Sequence, residues 1–193
     1  MDFVLRYRGP LASNGDRDDK HRIRLALHPQ LQEMCRIFKP FELALTPNLP
    51  EVVLEGRQAK APERCFFFWV RVGGIRVMPL INRTRTLECG LDVAILRREG
   101  PGAIFGSGGD LDNRLKTLFD ALRMPLQASE LPAGCGGDDL YCLLEDDSLI
   151  SRVSVTAHRL LEPPTTGHRD TDVDLWIHAG VQSTSPMWGN LGV

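Results

Sequence analysis

Apolar and polar residues alternate from the start of the chain. Phe3, Leu5 and Tyr7 fall on one side of an extended segment and Val4, Arg6 and Arg8 on the other, predicting a first strand closed by Gly9 and Pro10. Residues 11–26 are polar and basic, with Ser13-Asn14-Gly15 as a turn signal, and read as a loop. His28-Pro29 then opens a predicted helix with Leu31, Met34, Ile37 and Phe38 on one face, because proline suits a first helical turn. Four of the thirteen prolines lie within 40–63, which predicts an irregular connection with one short strand at 52–54. Residues 66–72 are aromatic and β-branched, Gly73-Gly74 turns the chain, and 75–81 returns as the second arm of a hairpin. Another strand is predicted over 86–97, a helix over 111–122, a long loop with an acidic end over 124–147, and final strands over 150–160 and 173–179. In the last, Val173, Leu175, Ile177 and Ala179 alternate with Asp174, Trp176 and His178. Strands outnumber helices too heavily for a doubly wound fold. The pattern therefore predicts an α+β domain over 1–181, a mixed or antiparallel sheet carrying two main helices, and a mobile Ser/Gly-containing tail over 182–193.

Composition narrows the functional classes. A net charge of −2 over 193 residues provides no global field for nucleic acid, so any such binding needs a local patch. No run approaches the ~20 apolar residues of a membrane-spanning helix, and the first residues do not form a secretory leader. The five cysteines are widely spaced without a Cys-x-x-Cys pair, which points to reduced thiols in a cytoplasmic protein rather than a zinc site or a disulfide framework. The five histidines show no zinc-enzyme spacing, and no nucleophile elbow or phosphate-binding P-loop is present.

The candidate chemistry is acidic. Leu111, Leu115, Leu118, Phe119 and Leu122 recur at helical spacing and form one apolar face, while Asp112, Asn113, Lys116 and Asp120 share another. Asp110 stands where a cap would be. Acids at a helix start suit the dipole, and Asp112 with Lys116 is an ordinary i,i+4 pair, so capping alone accounts for the spacing. The same residues also suit a hard divalent cation, which takes oxygen ligands. A second acidic group, Glu145-Asp146-Asp147, precedes the strand at 150, with Asp138 and Asp139 upstream. It reads either as a solvated loop or as the source of a further ligand, because clustered carboxylates repel one another until a cation neutralises them.

Asp110-Leu111-Asp112-Asn113, followed by Lys116 and by Phe119-Asp120-Ala121-Leu122, resembles the RusA Holliday junction resolvases. Asp146-Asp147-Ser148-Leu149-Ile150 is similar to that family's second acidic motif, and Gly9-Pro10-Leu11-Ala12-Ser13-Asn14 to its N-terminal loop. The resemblance runs in order through most of the chain, and the central helix motif is its specific part. It implies a RusA-like fold, a homodimer, and Mg²⁺-dependent cleavage of four-way DNA junctions, with Mn²⁺ as a substitute. Carried over by position, Asp110, Asp112 and Asp147 would be the metal-binding catalytic carboxylates, Asp146 an additional ligand, and Lys116 the lysine that offsets charge on the phosphate. Two departures stand out. Gly106-Ser107-Gly108-Gly109 replaces the arginine run of the family prototype, and the loop from Met124 to Glu145 is longer. The lost arginines motivate the alternative of a non-catalytic DNA-binding or structural protein with the same fold.

Residues 57–85 hold seven basic side chains (Arg57, Lys60, Arg64, Arg71, Arg76, Arg83, Arg85) against Glu63 alone. With Phe66, Phe67, Phe68 and Trp69 among them, this stretch could contact phosphates and stack on an opened base, or it could simply be a hairpin with a wet face and a core face. Lys20 and Arg22, in the polar N-terminal loop, are the other DNA-binding candidates.

Overall fold

The computed structural model describes residues 1–55, 58–60, 65–98, 100, 111–137, 139–162 and 171–185. Strand β1 (Asp2–Pro10) buries Leu5 and Tyr7 and turns Val4, Arg6 and Arg8 outward, as the alternation dictates. It pairs antiparallel with the last strand, and Tyr7 donates from its hydroxyl to the carbonyl of Pro10.

The first helix begins earlier than the proline suggests. Helix α1 (Arg17–Ile37) starts at a capping box, in which the Asp16 carboxylate accepts from the Asp19 N–H and the Asp19 carboxylate accepts from the Asp16 N–H. Residues 17–26, read as loop from their polarity, are thus helical, with Ile23, Leu27, Leu31 and Met34 on the buried face. Pro29 lies inside the helix at an exposed position, and the carbonyl it leaves unbonded is that of exposed Leu25, where water can reach it. A short helix α2 (Lys39–Glu42) follows, then β2 (Glu51–Val52), β3 (Leu54–Glu55) and β4 (Gln58–Ala59).

The hairpin consists of β5 (Trp69–Val72) and β6 (Ile75–Ile81), turned at Gly73, whose φ of +57° is the left-handed conformation glycine adopts without strain. After β7 (Leu87–Arg97) comes helix α3 (Leu111–Leu122), and then β8 (Leu140–Leu144), inside a segment read from sequence as loop. β9 (Ile150–Arg159) and β10 (Asp172–Ser183) complete the chain, so the first residues of the expected tail are strand. Residues 184–185 follow as a bend, and 186–193 lie outside the described residues.

The class is α+β, with two mixed four-stranded sheets in place of the single sheet expected. One has the order β1-β10-β7-β9, with β7 and β9 parallel and the other neighbours antiparallel. The other has the order β2-β5-β6-β8, with β5 and β6 antiparallel and both outer pairings parallel. α1 lies against β1, β8 and α3. The main core joins the inner face of the first sheet (Leu91, Val93, Leu175, Ile177) to both long helices and to Met78, Leu80, Tyr141 and Leu143 of the second. A second cluster, including Val70, Val77, Leu140 and Cys142, packs on the opposite face of the second sheet under Met124 and Leu131. That sheet is therefore buried on both sides, which explains the unbroken apolar run of β8.

Candidate active site

Helix α3 presents two different polar sides. Leu118 and Leu122 are buried in the core, while Asp112 and Lys116 are exposed on the opposite surface. Between these faces, Arg114 and Thr117 are buried, and both hold the N-terminal loop. Arg114 donates to the carbonyl of Leu11, and the Gly15 N–H donates to Thr117 Oγ1 at 2.9 Å. Thr117 in turn donates to the carbonyl of Asn113 at 3.0 Å. A Cβ on Gly15 would meet Thr117 Cγ2 at 2.6 Å, so this loop approaches the helix as only glycine allows. Pattern reasoning missed both side chains, although the Ser13-Asn14-Gly15 signal marks the loop they grip. The far end of α3 is held by Arg24, buried on α1, which donates to the carbonyls of Asp120 at 2.6 Å and Arg123 at 3.3 Å. Lys20 pairs with the Asp120 carboxylate at 2.8 Å. Burial works against the charge on Asp120, yet Lys20 and Arg123 together hold its carboxyl below the ordinary range.

The second acidic group divides by role. Glu145 is 2% exposed and accepts from the Arg83 N–H at 2.8 Å. Asp146 is 4% exposed, caps the short turn Asp147–Leu149 by accepting from the Ser148 N–H, and receives the Arg83 guanidinium at 3.3 Å. The same guanidinium donates to Ser148 Oγ at 2.6 Å. Glu145 and Asp146 thus fasten this turn to the one at Arg83–Arg85, and Asp147 follows them half-buried at its head. The turn lies against helix α3, with Cα positions within 8 Å. Asp112, Lys116 and Asp147, far apart in sequence, stand on elements that touch.

Asp110 lies outside the described residues, as do Asp138 and the 106–109 glycine run. Among the described residues, no three His, Cys, Asp or Glu side chains come together as a metal-holding group. Carboxylate oxygens suit magnesium in kind: Asp112 and Asp147 stand on touching elements, while Asp120 on the same helix is paired with Lys20 and Arg123.

The DNA-binding candidates fare unevenly. Arg85 is corrected outright. It is 0% exposed, sandwiched between the rings of Phe41 and Phe67 at 4.4 and 4.5 Å, and it donates to the carbonyl of Pro40. Burial lowers its guanidinium to about 10. The aromatics beside it are core as well: Phe67 and Trp69 belong to the main cluster and Phe68 to the second. Arg71 is exposed but makes a bidentate pair with Glu51 at 2.6 and 2.8 Å. Arg76 does the same with Asp139 at 2.7 and 2.6 Å while lying over the Trp69 ring. Their hydrogen bonds raise both arginines above the ordinary value and lower Glu51. Arg22 pairs with Asp19 at 2.9 Å. Within the positive stretch, Arg71, Arg76 and Arg83 are thus paired with acids contributed from elsewhere, while Arg57 and Arg64 lie outside the described residues. No family model, curated protein or solved structure matches this chain. No helix among the described residues is long and apolar enough to cross a membrane.

Proposed function

We propose that this protein is a magnesium-dependent endonuclease that cleaves branched DNA, acting as a homodimer on four-way junctions in the manner of the RusA resolvases it resembles. One observation carries the reading: the turn headed by Asp147 packs on the helix that bears Asp112 and Lys116. Carboxylates carried on touching elements suit a cation, and a bound magnesium ion would supply Lewis-acid polarisation of a phosphate there. Asp112 and Asp147, with Asp110, are the ligands in this reading, and Lys116 offsets charge on the phosphodiester. Asp146, whose Oδ1 takes the Arg83 guanidinium and the Ser148 N–H and so holds the turn, is the additional ligand in this reading.

The test is cleavage of a synthetic four-way junction with Mg²⁺ or Mn²⁺, against linear duplex of the same sequence. The expected result is junction-selective cutting that falls on the order of a hundredfold or more in Asp112→Asn, Asp147→Asn and Lys116→Ala proteins that remain folded. Absence of cleavage by the unaltered protein across both metals overturns the activity, and cleavage indifferent to Asp112→Asn and Asp147→Asn overturns the site. The paired state of Arg71, Arg76 and Arg22 favours a second reading, a non-catalytic binding or structural protein on the same fold. Titration calorimetry separates the two, because a magnesium site abolished by Asp112→Asn belongs to the enzyme reading only.

A further inference from the structure

A cysteine and a buried imidazole of α1 meet across 114 positions of sequence. Cys135 Sγ lies 3.5 Å from His21 Nε2. The cysteine sits in the segment Ala133-Gly134-Cys135-Gly136-Gly137, whose other four residues are exposed, and Cys135 itself is partly exposed. Gly134 and Gly137 adopt φ of +76° and +101°, and Gly136 bridges to Gly74, so the backbone bends out and back around the thiol. His21, by contrast, is 8% exposed, anchored on the buried face of α1, and its Nδ1 is buried without a hydrogen-bond partner. No interaction at Nδ1 therefore fixes the ring's tautomer, and Nε2 can present its lone pair to the thiol.

We propose that Cys135 is a covalent modification site for small disulfides, with His21 as the base that takes the thiol proton. The step balances. The Sγ–H proton passes to His21 Nε2, and the sulfur's electron pair bonds to one sulfur of R–S–S–R. The S–S bond breaks, and the departing thiolate recovers the proton from the ring and leaves as R–SH. Burial first, and the positive charge of Arg24 second, keep His21 below its ordinary value, outweighing Asp18, so the ring is neutral and ready to accept near pH 7. The remaining cysteines lack this combination. Cys35, Cys89 and Cys142 are buried, with burial pushing each thiol to about 12. Cys65 is partly exposed, but its thiol is also raised by burial, and it donates to the carbonyl of Phe67 rather than to a base. This inference does not depend on the nuclease reading.

The experiment exposes the full-length protein to oxidised glutathione at pH 7 and follows each cysteine by mass spectrometry of its peptide. Cys135 is expected to form its mixed disulfide about tenfold faster than Cys65, and His21→Gln to slow Cys135 by a similar factor while leaving Cys65 unchanged. Equal rates at Cys135 and Cys65 in the unaltered protein overturn the proposal, and that comparison needs no variant to fold. A His21→Gln protein with native circular dichroism and an unslowed Cys135 overturns the assigned base.

Discussion

A guanidinium removed from water must find compensation inside the protein, and Arg85 finds it in two phenyl faces and a carbonyl. Truncating such a side chain leaves a cavity and abandons the rings, whereas an apolar chain of similar length refills the space. Arg85→Ala is expected to lose about 3 kcal/mol in urea unfolding and Arg85→Met clearly less. Junction affinity should be unchanged in Arg85→Met, since the side chain never meets solvent. His21 makes the matching prediction for pH. Its folded value lies below the ordinary 6.5, so as pH falls through 6.5 the unfolded chain binds the proton first and gains. The stability present above 6.5 is therefore lost progressively on acidification, until the folded ring also protonates. Urea midpoints at pH 7.5 and 5.5 should show this decline, and His21→Gln should make it shallower.

At the scale of elements, the docking of the N-terminal loop on α3 is testable through Gly15. Gly15→Ala drives a methyl group into Thr117 Cγ2 and is expected to cost about 2 kcal/mol. Thr117→Ser removes that methyl group and keeps the hydroxyl that accepts from Gly15, so the double variant should recover part of the loss. Denaturant unfolding of the four proteins of this cycle measures the coupling, and strict additivity would refute the contact. The same scale shows why some elements were legible and others were not. Helix α3 was read to its ends because its apolar spacing is regular. The start of α1 was hidden by Pro29, which drew the boundary inward, although Asp16 and Asp19 already spelled the cap. Strand β8 carries no alternation, because both of its faces are buried, and a five-residue apolar run beside acids and glycines resembles a loop insertion.

Across the whole molecule, charge that is contiguous in sequence becomes dispersed in space. Glu51 and Asp139 reach Arg71 and Arg76 from other elements, and Asp120 reaches Lys20 from another helix. These pairs would have to open before Lys20, Arg71 and Arg76 could displace counterions from DNA. Junction binding is expected to weaken only gently with salt, with a log–log slope of about −3, measurable by electrophoretic mobility shift in Ca²⁺. A slope near −8 would mean that these pairs open onto phosphates.

The amino-acid pattern by itself determined the class of fold, the first and last strands, the hairpin at Gly73-Gly74 and the two faces of α3, because each depends on residues a few positions apart. It also singled out the two acidic segments as the place to look for chemistry. Only the tertiary structure decided how those segments lie: the Asp147 turn against α3, Glu145 and Asp146 drawn into the hold of Arg83, and Arg85 turned into the core. It likewise decided that Cys135 meets His21 across more than a hundred residues. Such pairings depend on how two sheets and two long helices close around shared apolar surfaces, and no local period along the chain encodes that closure.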